Sequence, residues 1–458
     1  MTPAAGIGVE RGTIHYGKGL AFMSSKSTGG SKSSARLPSA FNRLAWSNLA
    51  AQSAEQVGMA AAPLVAVLAL GVGAGKTGML QTAQTLPFLL LSIPAGLLAD
   101  RMPRRRLMAC AEALRALSLV GILACAGLGW LTWPLLAVLG FIGACGTVAY
   151  TVSAPALVPT LVPQECLAAA NARIELARTV AFAGGPALAG ALVGWTGATP
   201  AFGLAAALSI WAVFLLARLR EPARPARAPR HPLDDLREGA RFVVGHSLLL
   251  PIFLTQLIFN TAFFVLQAVY VPYAVHRLGL SASGVGATLA TYGVGMIVGA
   301  LLAARVTRML ALGTVIALGP IAGFAAAVVM VLTLWVPSIL LAGLSFFLMG
   351  VGPVIWVIST ATLRQTVTPR DLLGRVSAIN IMAYGSRPVG AAIGALVGGL
   401  YGTETCLIVA AVGFLAQALV IVTSPVLHLH RQPEMVGPRS PAPLFHAQDG
   451  RGKMGSVG

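Results

Sequence analysis

Leu97-Leu98-Ala99-Asp100-Arg101-Met102-Pro103-Arg104 closes one apolar stretch of the chain, and Leu301-Leu302-Ala303-Ala304-Arg305-Val306-Thr307-Arg308 closes another 204 residues later. Each is an apolar run of the ~20 residues that cross ~30 Å of hydrocarbon, followed at once by arginines that belong outside the lipid. The correspondence continues on both sides. Pro63 and Leu70-Gly71 return as Pro272 and Leu278-Gly279, offset 208–209. Pro163-Gln164-Glu165-Cys166-Leu167 returns as Pro369-Arg370-Asp371-Leu372-Leu373, offset 206, and Gly190-Ala191-Leu192-Val193-Gly194 as Gly394-Ala395-Leu396-Val397-Gly398, offset 204. Alanine-rich helices match by chance one at a time. Four matches in the same order and at the same spacing indicate a duplicated membrane unit.

Composition agrees. The 458 residues are 56% hydrophobic and 10% charged, with a mean hydropathy of +0.80. A soluble domain carries about a quarter charged residues. Apolar stretches fall at about 44–70, 78–99, 107–129, 134–154, 168–194, 200–217, 248–275, 284–304, 310–335, 338–362, 376–400 and 405–424. Helices satisfy every backbone group in lipid, and the alternation of barrel strands is missing from these stretches. The expected fold is therefore all-α and integral to the membrane, with twelve transmembrane helices in two pseudo-symmetric bundles of six. The division reads as a disordered basic cytosolic tail (1–40), a first bundle (41–218), a cytosolic linker (219–247), a second bundle (248–425) and a cytosolic tail (426–458). Within the linker, Leu233, Leu236, Ala240 and Val243 share one face of a short helix at the cytosolic interface. Met23 opens a second basic tail and is an alternative start to Met1.

The net charge of +18 sorts by loop. Of 32 Lys and Arg, 26 lie in the tails or in loops on the side of the termini, and only Lys76 and Arg277 lie in the opposite loops. The positive-inside rule then places both termini and the linker in the cytosol of a cell (inner) membrane. The basicity is topological, and no aromatic-studded basic stretch suggests nucleic-acid binding. The five cysteines form no CxxC pair and lie mostly in apolar runs, which fits packing rather than metal or disulfide chemistry. No cofactor or metal is expected.

Two local patterns carry a family resemblance. Gly96, Asp100, Arg101, Arg104, Arg105 and Arg106, with Pro103 between, close the second stretch. Here Gly allows a close backbone approach and Asp can face a helix N-terminus. This loop resembles the signature between helices 2 and 3 of the major facilitator superfamily, and the resemblance implies a cytosolic gate latched by Asp100 and the arginines. The chain departs from that pattern with Pro103 in place of Gly and with Ala304 in place of the acid in the second copy. Gly185-Pro186-Ala187-Leu188-Ala189-Gly190 is similar to the Gly-Pro motif of the antiporter branch, with Ala189 replacing a Gly. Over residues 41–425 the sequence resembles bacterial exporters of the enterobactin-exporter and macrolide-efflux kind.

Polar groups inside the stretches mark a candidate pathway. Asn48, Gln52, Glu55, Gln56 and Met59 form one stripe, and Glu55 sits ~16 Å along its helix, near the midplane. Gln256, Asn260 and Gln267 stand at the repeat-equivalent positions of Asn48, Gln52 and Met59, and Phe263 and Phe264 replace Glu55 and Gln56. Glu55 is the candidate for proton coupling, as a carboxyl group in a cavity that loads and releases a proton. Arg387 shares a face with Asn380 and Tyr384; it could hold an anionic substrate group or neutralise Glu55. A helix–helix hydrogen-bond seam is the alternative for the stripes. Glu112 with Arg115, and Glu175 with Arg178, read as structural ion pairs three residues apart.

The expectation is a secondary active transporter working by alternating access, exporting a small lipophilic or siderophore-like compound against protons. It would act as a monomer whose partners are a small-molecule substrate, protons and lipid. Import of a small metabolite is the alternative. No HExxH, GxSxG or phosphate-binding loop supports a membrane enzyme, and no output domain supports a sensor.

Overall fold

The computed structural model describes residues 38–163, 166–221, 232–369 and 372–430. The outer parts of both tails, most of the linker, and Gln164, Glu165, Arg370 and Asp371 lie outside the described residues. The described chain is helical throughout: α1 Ser39–Leu68, α2 Ala74–Arg101, α3 Arg104–Gly127, α4 Trp133–Leu161, α5 Leu167–Thr196, α6 Ala198–Ala217, α7 Pro232–Gly245, α8 Leu249–His276, α9 Ala282–Met309, α10 Leu312–Leu332, α11 Ile339–Val367, α12 Leu373–Met382, α13 Arg387–Leu400 and α14 Thr403–Val422.

Among the described residues, ten helices are long and apolar enough to cross a membrane. Two expected spans depart from that standard for identifiable reasons. The first, α1, carries the Asn48-to-Gln56 stripe, which lowers its hydropathy. The eleventh, expected as one helix over 376–400, is interrupted by a 3₁₀ turn over Ala383–Ser386 that separates α12 from α13. Pro388 explains the interruption. It has no N–H for the Tyr384 carbonyl four residues back, so the chain tightens and the Arg387 amide donates to Tyr384 O instead.

Packing repeats pair by pair between the halves. In the first, α1 packs on α5 and α6, α3 on α4 and α6, and α2 on α4. In the second, α8 packs on α13 and α14, α10 on α11 and α14, and α9 on α11. The halves meet along two equivalent seams, α5 on α9 and α2 on α13. Two bundles of six are thus joined by one contact type used twice.

The seams are tight because their residues are small. A Cβ on Gly190 would stand 2.5 Å from Ala282 O and 2.7 Å from Gly286 Cα, and one on Gly78 would stand 2.5 Å from Ala395 Cα. These contacts lie toward the ends of α5 and α13 and the starts of α9 and α2, the ends remote from the arginine-rich loops. Toward the opposite end, Leu98 of α2 and Leu301 of α9 are exposed.

The linker is anchored at both described ends. The Glu221 carboxylate accepts the Arg104 and Arg105 amides at 3.2 and 2.9 Å, capping α3. Helix α7 is amphipathic as expected, but it does not simply lie at an interface. Leu236, Ala240 and Val243 pack with Leu372, Val376 and Ile379, and Arg375 holds Asp235 and Glu238, each at 2.7 Å. The side chain of Leu233 lies outside the described residues. The five cysteines are free, and Cys110 is exposed on α3 rather than packed. At the junction of α7 and α8, His246 Nδ1 accepts the Leu248 amide at 3.2 Å, and burial pushes its pKa below the ordinary imidazole value.

Candidate functional site: an ion cluster facing an arginine among rings

The first half holds a charged cluster at mid-depth. Arg115 Nη1 lies 3.0 Å from Glu112 Oε1, and Nη2 lies 3.6 Å from Glu55 Oε2. The guanidinium also donates to Ala51 O at 2.8 Å and to Thr147 Oγ1 at 2.9 Å. Glu112 is fully buried and accepts the Ser209 hydroxyl at 2.8 Å. Glu55 is 16% exposed and has the looser contact, so it is the acid that opens toward free space. Glu112 and Arg115 do pair as their spacing implies. Reading them as a pair alone missed Glu55, the third member.

Across the interface, Arg387 begins α13. Residues three apart eclipse in a 3₁₀ turn, and the Tyr384 ring accordingly sits 4.3 Å from the Arg387 guanidinium carbon. Phe88 of α2 and Phe264 of α8 flank it at 5.0 and 5.4 Å, giving cation–π contacts on several sides. Its Nε donates to Asn260 Oδ1 at 3.2 Å, and Asn260 in turn donates to Gln256 O at 2.9 Å. Gln256 reaches Asn380 O at 3.4 Å. Arg387 therefore does not pair with Glu55 directly; Arg115 does. Glu55 remains within electrostatic reach of Arg387 and of Arg178.

Some stripe residues turn away from this meeting place. Asn48 is buried beside Tyr150 of α4, and Gln56 packs against Gly185 of α5. Both belong to the interior of the first half. Gln52 and Gln267 are half-buried. Phe263 stacks on Phe259 at 5.7 Å and touches Tyr292 at 5.6 Å, continuing the aromatic wall. Glu175 and Arg178 form an exposed ion pair on α5.

The loop and the Gly-Pro segment behave differently. Gly96 has open space where a Cβ would stand, so no backbone approaches it. The close backbone contact expected at Gly96 is missing. Arg101 is exposed. Arg105 is committed within its own half, donating to Ala217 O and Leu219 O at 2.9 and 3.1 Å. Arg104 presents its amide to Glu221, and the side chain of Asp100 lies outside the described residues. By contrast, Pro186 O and Gly190 face Gly286 directly.

Residues 40–454 match the profile of a family described as transmembrane secretion effectors. An MFS-type transporter of Sinorhizobium fredii is 29% identical over 340 residues, covering 70% of this chain and 79% of that protein. The enterobactin exporter EntS of Escherichia coli O1:K1 is 28% identical over 313 residues, covering 67% and 72%. Among solved structures, a bacterial homologue of the iron transporter ferroportin superposes with a TM-score of 0.68 at 16% identity, covering 84% of this chain and 98% of that one. The POT family transporter PepTSo superposes with a TM-score of 0.70 at 12% identity, covering 84% and 97%.

Proposed function

Because the chain belongs to the transmembrane secretion effector family of the major facilitator superfamily, we propose that it is an exporter that moves a small lipophilic or siderophore-like compound outward by alternating access, coupled to protons through Glu55. That it is a multi-pass transporter follows from the family. Direction, coupling and substrate class are the proposal.

One observation carries the coupling. Two carboxylates, Glu55 and Glu112, share the single guanidinium of Arg115 inside the helical bundle. An unpaired charge is costly in this setting, and one proton on the cavity-facing acid removes it. Export is supported by the enterobactin exporter among the relatives and by the Gly-Pro segment, of which Pro186 and Gly190 line the seam with α9. Small residues let that seam part and re-form as the halves rock. In this reading Gln52, Gln256, Asn260, Phe263, Gln267, Tyr384 and Arg387 contact the substrate, and Arg387 offers a cation to any acidic group it carries. Asp100 and the arginines around it latch the cytosolic end when it closes. Both termini are cytosolic, in the inner membrane, and the working unit is one chain.

Uptake into inverted membrane vesicles, measured with and without an imposed pH gradient across a panel of drugs and siderophores, tests this. Gradient-dependent accumulation of at least one compound is expected. Accumulation indifferent to the gradient, or of no compound, overturns it.

A further inference from the structure

The ion cluster borders a recess within the first half. Its volume is about 60 Å³, several times the ~10–15 Å³ that one water needs. Every residue lining it comes from α1, α2, α3, α4 or α6, so its wall belongs wholly to the first half. The polar members are Glu55, Gln84, Arg115, Ser118 and Thr147. Gln84 is 9% and Arg115 4% exposed, yet Gln84 Oε1 and Arg115 Nε make no hydrogen bond to any described residue. Buried polar atoms in a space of this size are ordinarily bonded to water. Helix α4 makes the room, because a Cβ on Gly140 would stand 3.1 Å from Gln84 and one on Gly143 3.0 Å from the Ser118 hydroxyl. At the far end Leu119, Ile122 and Phe202 are buried and apolar.

We propose that Glu55 exchanges its proton with water held in this recess, so that proton and substrate reach the carboxyl group by separate routes. Phe88 is the partition. It lines the recess on one side and rests against Arg387 on the other. The charged groups facing Glu55 are Arg115 and Glu112 on α3, Arg178 on α5 with its partner Glu175, and Arg387 on α13. Of these only Arg115 lines the recess, beside Glu55 itself. Proton exchange there needs no movement of the substrate-facing arginine.

The inference rests on Glu55 being the proton carrier, and the test separates the two. Infrared difference spectra of the full chain in detergent, without substrate, follow the carboxyl C=O band of a titrating acid and its rate of deuterium exchange. Loss of that band in Glu55→Gln is expected; its persistence defeats both claims. Ala144 lines the recess, so Ala144→Leu fills it and should slow exchange of the band by ~10-fold or more relative to wild type. Ala144→Cys in a chain without other cysteines, modified with methyl methanethiosulfonate after folding, gives the same block if the leucine variant does not fold. Exchange as fast as wild type in the blocked protein, with the band still assigned to Glu55, overturns the recess and leaves the carrier reading standing.

Discussion

The two halves pack helix for helix alike and differ in chemistry. Helix α3 carries Glu112 and Arg115 at mid-depth, whereas α10 contains no charged residue. Helix α1 brings Glu55 to that cluster, and its counterpart α8 brings Phe263 and Phe264. The scaffold depends on small and apolar residues at helix crossings, which both copies kept. The ionic equipment depends on a few side chains present in the first half; the second has rings opposite Glu55 and only apolar residues in α10 opposite Glu112 and Arg115. The packing is shared between the halves, while the Glu55–Arg115–Glu112 cluster belongs to the first alone.

The most damaging way to test that asymmetry is Arg115→Met. It leaves the buried Glu112 and the cavity-facing Glu55 without their cation and should cost about 3–5 kcal/mol, read as a large fall in melting temperature in detergent. Methionine introduced at Ile321 of α10, at the corresponding depth, should cost less than ~1.5 kcal/mol, a hydrophobic swap. Similar losses at both sites would dissolve the distinction between the halves.

The seams give the next largest effect. Gly190→Leu drives a side chain into Ala282 and Gly286, and overpacking of this kind costs about 1–3 kcal/mol. Cysteine pairs across α5 and α9 should then cross-link poorly. Gly96→Ala meets open space in a helix and should gain up to ~1 kcal/mol of helix stability. Equal sensitivity at both glycines would contradict the difference in packing around them.

Much of this was legible in the sequence. The twelve apolar stretches and the repeat follow from composition and spacing, and so does the linker helix. Pro388 was visible too, but whether a proline kinks, breaks or merely tightens a helix depends on its neighbours, and here the outcome aligned Tyr384 with Arg387. The cluster was harder. Glu112 and Arg115 announce a pair by spacing, but the third member comes from a helix 57 residues earlier in the chain, counting from Glu55 to Glu112. The stretch boundaries put Glu112 and Arg115 near the cytosolic end of theirs and Glu55 near the midplane of its own. Helix α3 begins earlier than that stretch, at Arg104, and rotation about each axis, which a period of 3.6 fixes too loosely over two helices, then decides contact. The same looseness put Asn48 and Gln56 in the pathway, where packing turns them into their own bundle.

Two smaller effects sharpen the comparison on the second half. Arg387→Lys keeps the charge but loses the planar stacking with Tyr384, Phe88 and Phe264, a change of about 1 kcal/mol, seen as a modest fall in stability with transport weakened more than folding. Arg375→Ala removes the partner of Asp235 and Glu238, both partly exposed. It should shift stability by less than ~1 kcal/mol while loosening α7 toward proteolysis.

The most direct measurement is proton movement in liposomes containing the purified chain, compared with Glu55→Gln, as a transported compound is driven through. The wild type should move protons opposite to the compound, and a pH gradient should accelerate its flux. Glu55→Gln should carry the compound only down its own gradient, without proton movement and without response to pH. Proton-coupled flux that survives Glu55→Gln unchanged would contradict the account.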